Sequence, residues 1–182
     1  MDELSKVNEQ SEDLLDMSED EENAQKSKYM TFKSGNEYFG LGIQYVNEII
    51  QIPSITAIPR TEDYIKGLIN LRGKIIPVID VRLRFKQETF EYDDRTCIIV
   101  VMVNDVTVGL IVEKIAEVIE IKEENILPPP KMGRVDKTDH RFVYGIARVG
   151  NSVKLLLDPD KLLHDEDVSA IEQTNGMVLV KE

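Results

Sequence analysis

The chain has 182 residues, 42% of them apolar, and a net charge of −12; at this length one or two compact domains can bury about 70% of the unfolded surface. No apolar run approaches the roughly 20 residues that span a bilayer, and the acidic start resembles neither a secretory signal nor a transit peptide. The lack of a continuous basic stretch disfavours a nucleic-acid partner, and the single cysteine, Cys97, cannot close an internal disulfide, which fits a cytosolic setting.

The charge is uneven. Residues 1–28 hold ten acidic and three basic residues, and 158–182 hold seven and two, whereas 29–157 carry 17 of each. A neutral body suits protein contacts better than charged substrates. Residues 1–28 are rich in Asp, Glu, Ser, Asn and Gln, with Leu14, Leu15 and Met17 as the only apolar cluster. Such a segment buries too little surface to offset ordering and is predicted to be disordered.

From Tyr29 the pattern becomes that of β-strands. Residues 29–33 and 37–41 read as a hairpin around Ser34-Gly35-Asn36. Residues 44–52 are rich in Val and Ile, and Pro53 and Pro59 end strand pairing. Thr61 is predicted to cap one helical turn over 61–66. Residues 68–71 and 75–79 are the arms of a second hairpin, with Arg72-Gly73-Lys74 between them. Gly67 and Gly73 mark positions that need positive φ or close backbone approach, and Pro77 predicts an edge or bulge. Asp80 is placed to cap a short helix over 81–85. Residues 87–94 form a polar linker. Strands follow at 95–103, 106–112 and 114–121, then a turn at 123–125 and a stiff proline loop at 127–131. Residues 131–140 read as a mobile loop. A last hairpin spans 142–149 and 152–157, and Asp158-Pro159 starts a helix through Leu163.

The halves repeat. Gly40-Leu41-x-Ile43-x-x-Val46-x-Glu48-Ile49-Ile50-x-Ile52 lies over Gly109-Leu110-x-Val112-x-x-Ile115-x-Glu117-Val118-Ile119-x-Ile121, a shift of 69 residues. Further on, Gly67-Leu68 lies over Gly145-Ile146 and Val78-Ile79-Asp80 over Leu156-Leu157-Asp158, a shift of 78. Duplication of an all-β unit with short, regular strands predicts two small barrels. Where the first copy has Asn70-Leu71-Arg72-Gly73, the second has Arg148-Val149-Gly150-Asn151. A tight turn asks only for the latter, which singles out Arg72. Glu48 is expected to lie close enough to pair with it, although Glu117 repeats Glu48 without a matching arginine.

The pattern Gly67-x-x-Asn70-Leu71-Arg72-Gly73-x-x-x-Pro77-x-x-Asp80-x-Arg82 resembles the signature of the CheW family of chemotaxis coupling proteins, and the likeness runs from Tyr29 to Leu163. The resemblance implies an all-β fold of two SH3-like five-stranded barrels packed together, with short helices and a C-terminal helix. The expected divisions are an acidic tail at 1–28, barrels at 29–92 and 93–158, and a helix and tail at 159–182, with one CheW-like domain over 29–164. It implies a non-catalytic, cytoplasmic adaptor, a monomer when free, that is recruited to receptor arrays, couples chemoreceptors to the histidine kinase CheA and uses no cofactor. Two barrels side by side leave a groove that can take an amphipathic helix. By resemblance the receptor's hairpin tip binds there, against Val46, Glu48, Gly67, Arg72, Thr96, Cys97, Ile98, Ile115 and Val118. Most of the apolar members of that set also read as ordinary core. The kinase's regulatory domain is expected at Ile55 and Ile75, with a second contact at Leu127 and Met132. Many family members carry Arg and Phe at those last two places, and a shorter leader. The alternatives are a paralogue scaffolding another receptor–kinase pathway, a truncated CheV, or a small β-barrel enzyme or ligand-binding protein. His140 and His164 stand alone without metal-ligand spacing, Cys97 reads as an inert buried thiol, and no phosphate loop, nucleophile elbow or HExxH motif nominates an enzyme.

Overall fold

In the computed structural model, which describes residues 20–129, 142–163 and 167, short apolar strands pair into two sheets. The strands are β1 (Lys28–Ser34), β2 (Glu37–Gly42), β3 (Val46–Gln51), β4 (Ile65–Leu71), β5 (Lys74–Asp80), β6 (Cys97–Val103), β7 (Val106–Val112), β8 (Lys114–Glu120), β9 (Ile126–Leu127), β10 (Val143–Val149) and β11 (Ser152–Leu157). One sheet runs β8-β1-β2-β11-β10-β9 and the other β3-β6-β7-β5-β4. The mostly β, two-lobed architecture with few short helices is that expected from the sequence.

The partition of the chain between the lobes is not. Hairpin β1–β2 pairs with β8 and, in parallel, with β11, whereas hairpin β6–β7 pairs with β3 and, in parallel, with β5. Each sheet therefore takes one hairpin from the opposite repeat, and the contiguous barrels expected at 29–92 and 93–158 are corrected to an intertwined pair. The duplication survives as pseudo-two-fold symmetry, because β8-β1-β2-β11-β10 matches β3-β6-β7-β5-β4 strand for strand. The isolated bridge of Thr56 with Leu68 is the counterpart of β9 on β10. Likewise the Asp80 amide donates to the Tyr64 carbonyl at 2.7 Å and the Asp158 amide to the Phe142 carbonyl at 2.8 Å.

The physical reason for the exchange lies in the side-chain alternation of the exchanged hairpins. In β6, Ile98 and Val100 point into a core made with Ile69, Ile76, Val78 and Ile111, inside the five-stranded sheet. Ile99 and Val101 point the other way, into a cluster shared with Phe32, Phe39 and Leu41 of the six-stranded sheet. A strand buried on both faces reads as a continuous apolar run, and such strands belong at the junction. A separate small core of Tyr29, Ile121, Ala147 and Leu156 fills the other lobe. The shared cluster is the largest of the three, so burial at the junction supplies most of the non-directional stabilisation.

Local outcomes follow the same logic. Asp80 caps the helix Val81–Arg84, accepting from the amides of Arg82 and Leu83. The turn expected at 123–125 is a 3-10 turn, Glu123–Asn125, and Asp158 caps a second, Pro159–Lys161. The helical turn expected at 61–66 does not form. The Thr61 hydroxyl donates to the Ile58 carbonyl instead of accepting as a cap, and Ile65 is taken up by pairing with Ile79. Pro77 lies on an interior strand, not an edge, but pairing with β7 begins only at Val78, so no ladder donor is lost. Residues 20–26, expected to be disordered, are helical, with a Lys26–Glu22 ion pair at 3.0 Å. Residues 1–19, the whole of the expected mobile loop at 131–140 with Met132 and His140, His164 and most of the C-terminal helix and tail lie outside the described residues. Among the described residues no helix is long and apolar enough to cross a membrane.

Candidate functional site

The β4–β5 hairpin is built to hold one side chain out. Gly67 has φ +139°, and a Cβ there would lie 2.1 Å from the Thr56 carbonyl oxygen; both reasons for a glycine apply at once. The loop between the paired residues Leu71 and Lys74 is two residues long. Arg72 has φ 51° and Gly73 φ 85°, the sign pattern of the turn whose twist suits paired strands. The Asn70 side-chain oxygen accepts from the Gly73 amide at 2.8 Å and closes the turn.

Arg72 occupies left-handed backbone although it is neither Gly, Asn nor Asp. Its side chain is 72% exposed. It donates one hydrogen bond to Glu48 Oε2 at 3.1 Å and a second to Oε1, the two-pronged geometry that a guanidinium and a carboxylate favour. The Glu48 hydrogen bond pushes the guanidinium pKa up still further. Strands β3 and β4 are the two edges of their sheet, so the pair clips one edge to the turn that follows the other. Beneath it lies a hollow of about 230 Å³ bordered by Asn47, Leu71, Ile76, Val100 and Met102. Met102 is 42% exposed, an adaptable apolar side chain beside a fixed ion pair.

The other residues expected at the receptor face divide. Val46, Cys97 and Ile115 are partly buried against the shared central cluster, and Val118 is exposed on edge strand β8. Burial raises the pKa of the Cys97 thiol, which favours its protonated form. Three residues have structural positions instead. Ile98 is 0% exposed inside the five-stranded lobe. Thr96 is buried and its hydroxyl accepts from the Asp93 amide. Gly67 faces the Thr56 backbone. Ile98 is turned inward by strand alternation, Thr96 is held in the turn before β6, and Gly67 is fixed by its close approach to Thr56. Of the residues expected to face the kinase, Ile55 packs on the core of the five-stranded lobe, Ile75 pairs with Asn70 near the Arg72 turn, and Leu127 is exposed on β9.

Sequence reasoning passed over Arg84, which is buried between the lobes. It donates to the Leu162 carbonyl oxygen and lies against the rings of Tyr64 and Phe142. A signal was present: the 78-residue shift that relates Tyr64 to Phe142 also relates Arg84 to Leu162. On the other lobe a groove of about 710 Å³ runs past Tyr29 and Tyr144, whose hydroxyls share a hydrogen bond of 2.7 Å. Among the described residues no group of three acids, histidines or cysteines is placed to hold a metal.

Comparison with known proteins bears on this arrangement directly. The family model described as "CheW-like domain" matches residues 28–167. The chain is 34% identical over 145 residues to the chemotaxis protein CheW of Klebsiella aerogenes, covering 80% of this chain and 86% of that one. It is 31% identical over 139 residues to CheW of Bacillus subtilis, covering 76% and 88%. The solved scaffolding protein TtCheW from Thermoanaerobacter tengcongensis is 39% identical, with a TM-score of 0.68 over 75% of this chain and 92% of that one. A matched domain that starts with β1 and extends past β11 takes in both intertwined lobes, and the chain belongs to the CheW-like family.

Proposed function

We propose that the protein is a non-catalytic chemotaxis adaptor that couples chemoreceptors to the histidine kinase CheA at receptor arrays on the cytoplasmic side of the membrane. One observation carries the reading. Arg72 adopts a backbone conformation that Asn or Gly would take without strain, at a site where its side chain is mostly in solvent. An exposed ion pair is a poor stability device, and strain of this kind concentrates where function requires it. The guanidinium is therefore a docking group, oriented in advance by Glu48, beside a hollow that accepts an apolar side chain. The receptor's hairpin tip is the partner proposed for the face made by Val46, Glu48, Arg72, Cys97, Ile115 and Val118. The kinase's regulatory domain is proposed to meet Ile55 and Ile75, with Leu127 and Met132 giving a second contact. Mechanistically the adaptor supplies coupling free energy by holding both partners in one geometry.

The test is co-sedimentation with membranes carrying receptor and kinase. Arg72→Asp reverses the charge facing Glu48 and is expected to abolish co-sedimentation while the thermal unfolding midpoint stays near the parent's. Undiminished co-sedimentation by a folded Arg72→Asp protein sinks the proposal.

A further inference from the structure

The two lobes share an apolar cluster, but apolar burial is non-directional and does not by itself select one angle between them. A directional element sits on the pseudo-two-fold axis. Arg84 ends the helix that follows β5 of the five-stranded sheet, and it is only 7% exposed. Its Nε donates to the carbonyl of Leu162, which follows β11 of the six-stranded sheet. Its guanidinium lies 5.1 Å from the centre of the Tyr64 ring and 5.2 Å from that of Phe142. Tyr64 leads into β4 and Phe142 into β10, so one ring comes from each lobe. The Tyr64 hydroxyl donates to Asp167, which holds that ring in place. Phe142 in turn stacks on Phe85, the residue after Arg84, at 4.7 Å.

The counterpart of Arg84 in the second repeat is Leu162 itself, so the device is single and asymmetric on an otherwise symmetric axis. Burying a guanidinium is costly, and replacing buried charge with apolar groups is often neutral or stabilising. A planar fork stacked between two rings fixes orientation in a way that a flexible ammonium does not.

We infer that Arg84 is a positioning residue: it sets the angle between the lobes, and through that angle the efficiency with which a receptor bound to one surface controls a kinase bound to another. The inference rests on the proposed adaptor function, and its two parts are read separately. Residual dipolar couplings on the full chain measure the angle without any partner. In the parent protein the amides of both sheets fit one alignment tensor. In Arg84→Lys, which keeps the charge and loses the plane, each sheet is expected to fit alone but not jointly. Binding of Arg84→Lys to receptor and to kinase, each measured alone, is expected to stay within about twofold, while receptor-dependent kinase stimulation in the ternary assembly falls at least about fivefold. A merely structural residue lowers stability or affinity and leaves that split absent. Phe142→Leu removes one ring and keeps the arginine; it is expected to shift the same two readouts less, and it serves if Arg84→Lys fails to fold. A joint fit in the folded variants overturns the inference, and so does a changed angle with undiminished stimulation. If the parent protein binds neither partner, the proposed function fails while the joint fit still decides the role of Arg84 in the angle.

Discussion

The two related hairpins, β4–β5 and β10–β11, both need positive φ at the first residue of the turn and meet that demand with different chemistry. In the second, Gly150 supplies the positive φ, at 60°, and Asn151 completes a turn that the fold alone accounts for. In the first, Arg72 takes the left-handed position at φ 51° and reaches Glu48. Glu117, the repeat of Glu48, has no arginine opposite it in the related turn. Where two copies share one fold, the residue that only one copy keeps, against its own backbone preference, marks what the fold does not require. The contrast also separates Gly67 from Gly145. Both glycines are needed for close approach, but a Cβ at Gly67 would meet rigid backbone, whereas one at Gly145 would lie 2.5 Å from the Ile126 Cγ2 methyl group.

The largest expected difference tests that contrast. Gly67→Ala combines a clash with the Thr56 carbonyl and a φ of +139°, and is expected to cost at least about 3 kcal/mol. Gly145→Ala can be relieved by a rotamer change at Ile126 and is expected to cost about 1–2 kcal/mol. Urea unfolding of the two variants decides; equal midpoints would erase the distinction.

Next come the paired caps. Asp80 accepts from two amides and from the Tyr92 hydroxyl at 2.6 Å, so Asp80→Ala is expected to lose about 2–3 kcal/mol. Asp158 accepts from the Asp160 amide, and Asp158→Ala is expected to lose about 1 kcal/mol. The same unfolding series ranks them.

A smaller effect appears in alkali. Burial, then the bond to Asp80, holds the Tyr92 phenol well above its ordinary value. As pH rises through about 10 the unfolded chain releases this proton first. The unfolded state then binds fewer protons than the native one, and stability falls with pH. Stability against pH is expected to decline above about 10 in the parent and less steeply in Tyr92→Phe.

The smallest change in stability carries the largest functional consequence. Arg72→Asn gives the first turn a residue suited to left-handed backbone, so its unfolding midpoint is expected to equal or exceed the parent's. Capture by receptor–kinase membranes is nevertheless expected to be lost. Retained capture would show that the two turns are interchangeable after all.

Much of this protein is legible in the chain. Alternating Val and Ile, turn glycines and the 69- and 78-residue shifts predict the hairpins and the duplication, because strand periodicity and turn chemistry are local. The Arg72–Glu48 pair is foreseeable too, since a tight hairpin leaves its tip in solvent. The missed helical turn at 61–66 shows the limit of local signals: the Thr61 hydroxyl went to Ile58, and Ile65 was claimed by β4. The inward aim of Ile98 was equally hidden, because a strand apolar on both faces does not say which side of it faces which core.

By itself the amino-acid order determined the elements, the repeat and the exposed arginine, all set within a few residues of chain. Tertiary structure alone decided that the repeats exchange hairpins and that Arg84 stands between the lobes. Both outcomes depend on which apolar face meets which partner across more than 70 residues, and sequence periodicity carries the presence of such faces but not their pairing.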